Sequence, residues 1–173
     1  VLKKWDGSHS VDSAGAAIFQ FFAYHLMRGA LLDELGEERF LQYCDISEHW
    51  NFFKHLVRSP GSTYWDDIAT PKKETRDEVA VKAFGDAVAE LGDRLGGSPE
   101  SWRWGCIHRI EYAHPLGKVK PLNLAFNIGP LPCPGEAHIV NRLKSNFGKH
   151  NYVVTSAPST RWMVDFGSGE KLS

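Results

Sequence analysis

Several features that would assign a function class quickly are missing from this chain. No apolar run approaches the ~20 residues that a membrane span requires, and the N-terminal VLKKWDGSHS has no apolar core of a signal peptide. Neither sign of charge predominates: the formal net charge is -1, which gives no electrostatic case for nucleic acid or an anionic membrane as partner. Cysteine is scarce. Cys44, Cys106 and Cys133 cannot all pair within one chain, and their spacing fits no zinc pattern, so cysteine leaves the redox compartment open. Val1 stands where an initiator Met would, which predicts a processed chain or a piece of a longer one. What is present is ordinary globular material: 173 residues, 42% hydrophobic and 24% charged, enough for one domain with its own core.

The hydrophobic pattern divides the chain. From Ser10 to about Leu35, Ile18, Phe19, Phe22, Leu26 and Ala30 recur at three- and four-residue steps, predicting an amphipathic helix that stops at Gly36. A short helix fits Glu37 to Cys44. Ser47 caps another, carrying Trp50, Phe53, Leu56 and Val57, which Ser59-Pro60-Gly61 ends. STYWDDIATPKK reads as a loop. ETRDEVAVKAFGDAVAELGDRLGG is the most regular segment, with Ala80, Ala83, Phe84, Ala87, Val88, Leu91 and Leu95 on one stripe, acids in its first turn and Gly96-Gly97 at its end. Ser98-Pro99-Glu100 predicts a brief helical turn. Beyond it Pro and Gly become frequent, and short β-prone runs appear at Ile107–Tyr112, Leu122–Ile128, Ala137–Val140, Tyr152–Thr155 and Arg161–Phe166. A helical first half and antiparallel strands in the second give an α+β class rather than alternating α/β. There is no internal repeat, and the polar GSGEKLS end reads as frayed or cut from a longer chain.

Four places carry side chains capable of chemistry. In WRWGCIHRIEYAHPLG, Cys106, His108 and His114 share parity and would face one way on a strand. Zinc takes four ligands, or three and water, and no second close pair completes this set; the other reading is a buried cysteine acting as a small hydrophobe beside hydrogen-bonded histidines. Trp65-Asp66-Asp67 offers two carboxylates to calcium, which needs 6–8 oxygens; the donor count favours instead aspartates that cap backbone amides while Trp65 docks on the helices. Ser156 and Ser159 lie in neither a G-x-S-x-G elbow nor an S-x-x-K motif. Arg161, a few residues before Asp165, could hold a carboxylate or phosphate in a bidentate manner, or pair with an internal acid and pin a loop. GPLPCPGE has no phosphate-cradling fingerprint and reads as a connection between strands.

Taken in order, these elements resemble the C-terminal part of the β-chain region of the penicillin acylase family of N-terminal-nucleophile hydrolases. The matching residues are Leu2, Trp5, Asp6 and Gly7, then Asp12 and Ser13 before an Ala/Phe-rich helix, then Trp65-Asp66-Asp67, and Leu91 ahead of Trp102-x-Trp104-Gly105. His108, His114-Pro115-Leu116, Gly129-Pro130…Gly135, Asn141 and SAPSTRWMVDF follow, the last resembling a G-x-S-x-R run leading into Asp165, with Ala157 and Pro158 where the family has glycine surroundings. Each motif alone is weak; the ordered set spans nearly the whole chain. It does not separate penicillin acylases from acyl-homoserine lactone acylases or cephalosporin acylases.

The resemblance implies a fragment, residues 1–173, of an αββα amidohydrolase, with 1–105 mainly helical and 106–173 mainly strands and loops. In that family the serine at the β-chain N-terminus attacks an amide carbonyl and its own α-amine serves as base, while backbone and Asn donors hold the oxyanion. Here position 1 is Val1, and Ser8 and Ser10 have acylated nitrogens. The resemblance therefore places the nucleophile, the oxyanion Asn and the calcium ligands upstream of Leu2, and a further family segment downstream. It carries over no catalytic, cofactor-binding or metal residue, and admits calcium only in the full-length enzyme. The implied partners are the remainder of the precursor (an α-chain and the N-terminal part of the β-chain) and a small N-acyl amide; no nucleic acid and no membrane is implied, and the family implies a periplasmic or secreted location. The competing expectation is a stand-alone binding or structural module with a metal site at Cys106, His108 and His114.

Overall fold

The computed structural model describes residues 1–46, 49–147, 151–160, 162, 164 and 167. Its centre is helix α1 (Ala14–Asp45), which Ser13 starts by accepting the Ala16 N–H at 3.1 Å. The sequence predicts one apolar stripe, but Gly15, Ala16, Ala17, Ile18, Gln20, Phe21, Ala23, Tyr24, Leu26 and Met27 are all buried. Over its first half the helix is buried round most of its circumference, leaving a half-buried strip at Phe19, Phe22, His25 and Arg28, as expected of a helix that lies in a core. The helix is broken at Gly36, where φ is 70° and ψ is 164°. Only glycine adopts that conformation at low cost, so the expected stop at Gly36 and the short following helix are both present.

Helix α2 (His49–Val57) contributes Trp50, Phe53 and Leu56 to the core; Ser47, expected to cap it, lies outside the described residues. Helix α3 (Arg76–Leu95) begins with a reciprocal cap: Thr75 Oγ1 accepts the Glu78 N–H at 3.3 Å, and Glu78 Oε2 accepts the Thr75 N–H at 3.0 Å. Val79, Ala83, Ala87 and Leu91 form its buried seam against α1. Small residues bring the two backbones close; a Cβ added at Gly29 of α1 would lie 2.9 Å from Val79 Cγ1. Phe84, predicted on the stripe, sits at its margin, 41% exposed and edge-on to Phe22. No helix among the described residues is long and apolar enough to cross a membrane.

The connection to the second half is helical turn α4 (Trp104–Ile107), followed directly by β1 (Arg109–Tyr112). Strand β1 pairs antiparallel with β2 (Ile128–Pro132), joining Ile110 to Leu131 and Tyr112 to Ile128. Strands β3 (Lys144–Ser145) and β4 (Val154–Ser156) form a second antiparallel pair, and a bridge from Arg109 to Val153 links the two ribbons. This is an α+β arrangement with its core in the helical layer.

Two of the expected strands are absent. Leu122–Phe126 is a helical turn, containing α5 (Asn123–Phe126), with the Leu124 N–H donating to Pro121 and the Phe126 N–H to Leu122. Proline suits the first position of such a turn because its missing N–H would have no partner there. Residues 137–140 also turn. Glu136 Oε2 accepts the His138 N–H at 2.7 Å, and the Leu143 N–H returns to the Glu136 carbonyl. Both runs contain β-prone side chains, but local capping decides their backbone. The predicted run at 152–155 forms its strand slightly later, at β4. Arg161, Met163, Asp165 and Phe166 of the last predicted strand lie outside the described residues.

The glycines give opposed expectations. Gly36→Ala forces a side chain into a conformation that costs about 1–3 kcal/mol. Gly85 sits exposed and unobstructed inside α3, so Gly85→Ala stabilises by about 0.5–1 kcal/mol. Urea unfolding monitored by tryptophan fluorescence should show the two midpoints moving in opposite directions.

Candidate functional site

Cys106, His108 and His114 occupy three different environments. Cys106 is exposed on α4. His108 ends α4 and is fully buried. His114 is exposed at the start of the Pro115–Lys118 turn, where Nδ1 accepts the Leu116 N–H at 3.1 Å and the ring stacks on Phe126 at 5.3 Å. The strand begins at Arg109, so Cys106 and His108 follow helical geometry instead, in which positions two apart lie on opposite sides. Among the described residues, no group of three or more His, Cys, Asp or Glu side chains could hold a metal ion.

His108 has a different partner, Cys133 of the GPLPCPGE loop. Nδ1 of His108 lies 3.3 Å from Cys133 Sγ and 3.1 Å from the Cys133 carbonyl, and Nε2 lies 3.0 Å from the Leu143 carbonyl. Carbonyls only accept, and a neutral imidazole has one N–H. With that hydrogen on Nε2 the ring donates to Leu143 and the Cys133 thiol can donate to Nδ1; with it on Nδ1 the ring donates to the Cys133 carbonyl, so either tautomer has one N–H bond to backbone. Burial lowers the His108 pKa, and burial pushes the Cys133 thiol up to about 11. Both groups are therefore neutral. A nucleophilic cysteine requires the opposite polarisation, a thiolate stabilised by a cationic neighbour, so this couple serves packing.

The same cluster reaches the N-terminus. Trp104 stacks on His108 with centroids 4.7 Å apart and meets His9 edge-on at 5.9 Å. His9 donates from Nδ1 to the Gly7 carbonyl at 3.2 Å and accepts at Nε2 from Gln20 at 3.1 Å. Burial lowers its pKa, against the pull of Glu136. Trp104 Nε1 donates to the Gly135 carbonyl at 2.9 Å, and the Gly105 N–H donates to Val11 at 2.8 Å. Sequence reasoning missed Cys133, Gln20 and Glu136, because 25 residues separate His108 from Cys133 and no spacing rule spans that gap.

The Trp65-Asp66-Asp67 loop follows its capping reading. Trp65 is buried and donates from Nε1 to the Ser59 carbonyl at 2.9 Å. Asp66 accepts the Glu74 N–H at 3.1 Å, Asp67 accepts the Ala69 N–H at 2.9 Å, and Asp33 of α1 accepts the Ile68 N–H at 2.8 Å. This loop, α1 and α3 enclose an open groove of about 750 Å³. Its cations are paired, Arg28 with Glu37 at 2.9 Å, Lys72 with Glu78 at 2.5 Å and Lys82 with Asp86 at 3.4 Å, while Asp33, Asp67 and Glu74 accept backbone N–H groups. Ser156 and Ser159 are exposed and hydrogen-bond to no base among the described residues. Arg161 and Asp165 lie outside the described residues.

Two of the buried histidines, His9 and His108, set a pH dependence. Their folded pKa values are lowered, so the unfolded chain binds protons more readily, and their contribution is complete above about pH 6.5 and declines as pH falls toward the folded values. Unfolding free energy measured in urea from pH 7.5 to 5 should decrease. His108→Gln should lower stability at pH 7.5 yet flatten the slope.

Comparison with known proteins fits this framework. The family model for penicillin amidase matches residues 1–173. The acyl-homoserine lactone acylase QuiP of Pseudomonas fluorescens (strain Pf0-1) is 32% identical over 177 residues, covering 99% of this chain and 21% of that protein. QuiP of Pseudomonas syringae pv. syringae (strain B728a) is 30% identical over 178 residues, covering 99% and 22%. QuiP of Pseudomonas aeruginosa is 27% identical over 189 residues, again covering 99% and 22%. The chain thus spans about a fifth of the length of the curated relatives it matches. With the match running from end to end through the Trp104 junction, the chain belongs to the penicillin amidase family.

Proposed function

We propose that this chain is the non-catalytic C-terminal unit of an αββα amidohydrolase that cleaves N-acyl amides, with N-acyl-homoserine lactones as the substrate class. The carrying observation is the pairing of extents: 99% of this chain matches about a fifth of each relative. The relatives' printed name supplies the substrate class. Side-chain chemistry supports the assignment. The buried His108–Cys133 couple is neutral and held by backbone carbonyls, and the aspartates of the Trp65 loop cap backbone amides. The nucleophile and its base lie in the remainder of the precursor. In the complete enzyme a serine hydroxyl adds to the acyl carbonyl, the amide C–N bond breaks, the amine leaves with a proton, and water then releases the carboxylic acid from the acyl-enzyme.

In this unit the role is scaffolding. The α1–α3 layer supplies a rigid wall, and the Trp104 cluster fixes how the second half leaves it. The stand-alone metal-module reading finds no support in the geometry, since its three donors are dispersed.

The test compares two proteins on an N-acyl-homoserine lactone and on a penicillin, following amine release by mass spectrometry. The 173-residue chain alone should give no release, and the complete protein from the parent reading frame should hydrolyse the lactone. Turnover by the isolated chain would overturn the assignment. Hydrolysis of the penicillin alone by the complete protein would keep the amidase and reject the substrate class.

A further inference from the structure

The segment from Tyr112 to Leu131 is built inside out. It leaves β1, runs through the Pro115–Lys118 turn and α5, and returns as β2. Its organising group is polar. Asn127 Oδ1 accepts the His114 N–H at 3.0 Å, and Asn127 Nδ2 donates to Glu111 Oε1 at 2.9 Å. Gly117 closes over this amide; a Cβ there would lie 1.9 Å from Asn127 Oδ1. Its apolar side chains are exposed: Tyr112, Leu116, Val119, Leu124, Ile128 and Leu131 range from 46% to 83%.

This concentration sets the segment apart. Eight large apolar side chains in the twenty residues 112–131 are exposed, against nine among the described residues of 1–105. Scattered exposed apolar residues need no explanation, whereas a clustered set marks a surface that another surface covers. The core of this chain lies in the helical layer, so the exposed leucines have no inward destination.

We infer that the 112–131 excursion is the face on which the remainder of the amidase precursor docks, through an apolar surface rimmed by acidic residues. The inference rests on the proposed function for the existence of that remainder. Two observations select this occupant. About four fifths of each matched relative lies outside the region that this chain covers. The face is also cationic: within residues 109–132, Arg109, Lys118 and Lys120 stand against Glu111, giving +3 − 1 = +2. That charge opposes self-association of two like faces and favours an acidic rim. The contact is made by side chains and not by strand addition. Pro130 and Pro132 remove two N–H donors from β2, and proline is a standard block to edge pairing.

Cysteine labelling tests the face directly. Cys44 and Cys133 are buried and Cys106 is exposed, so Cys106→Ser provides a background with low thiol reactivity. Leu124→Cys and Val81→Cys, the latter an exposed α3 control, are introduced both into the 173-residue chain and into the complete protein. Maleimide labelling of Leu124→Cys should be at least about tenfold slower in the complete protein than in the isolated chain, with the Val81→Cys rate unchanged. Equal rates at Leu124→Cys would overturn the inference. So would a slow rate in the isolated chain that rises on dilution, because a second copy would then hold the face. Amide hydrogen exchange over 112–131 in the wild-type proteins gives the same comparison free of any substitution. Protection in a complete protein that hydrolyses no N-acyl amide would keep the docking face and reject the substrate reading; hydrolysis without protection would do the reverse.

Discussion

Trp104 is the point through which the two halves of the chain hold each other. Its backbone N–H donates to Ser13 at the start of α1, at 3.2 Å, and its indole N–H donates to Gly135 in the second half. Its ring meets His9, His108 and Tyr152. Beside it, Gly105 has no room for a Cβ, which would lie 2.5 Å from Val11 Cγ1. Polar atoms this deep are costly without partners, and every contact of the indole is matched by a carbonyl or a neutral ring. Burial lowers the pKa values of the two histidines that Trp104 touches and raises that of the Cys133 thiol beside His108.

Around that junction the molecule has two characters. The helical layer is dense, with the first half of α1 largely buried and α3 drawn close through alanines. The second half consists of short ribbons and turns organised by side-chain-to-backbone hydrogen bonds at Glu136, His114 and Asn127. Tyr152 shows how the ribbons are anchored. It adopts a φ of 48°, which is unfavourable for a tyrosine, but its ring is fully buried against Phe21 and its hydroxyl donates to the Gln20 carbonyl at 3.4 Å. Two-stranded ribbons have little independent stability, so their order depends on such anchors and, in the proposed enzyme, on the surface that covers residues 112–131.

The sequence is legible where local rules dominate. Gly36, the acidic first turn of α3, Gly96 and the Pro99 turn each declare themselves through backbone chemistry that needs no distant partner. The Trp65 loop was legible for the same reason, since aspartate capping is local. At 122–128 the β-prone side chains suggest a strand, but the chain follows Pro121 and the helix-forming leucine and alanine into a turn. Cys106 and His108 belong to the helical turn before β1, so strand parity does not bring them to one face.

The sequence by itself determined the helices, their ends, the α+β class and the ordered motifs that mark the family, because these depend on neighbours a few residues apart. Tertiary structure alone decided that Cys133, not Cys106, meets His108, that the first half of α1 is buried over more than the one predicted stripe, and that the apolar side chains of 112–131 remain exposed. Those outcomes depend on which distant segments exclude water from one another, and periodicity carries no information about that choice.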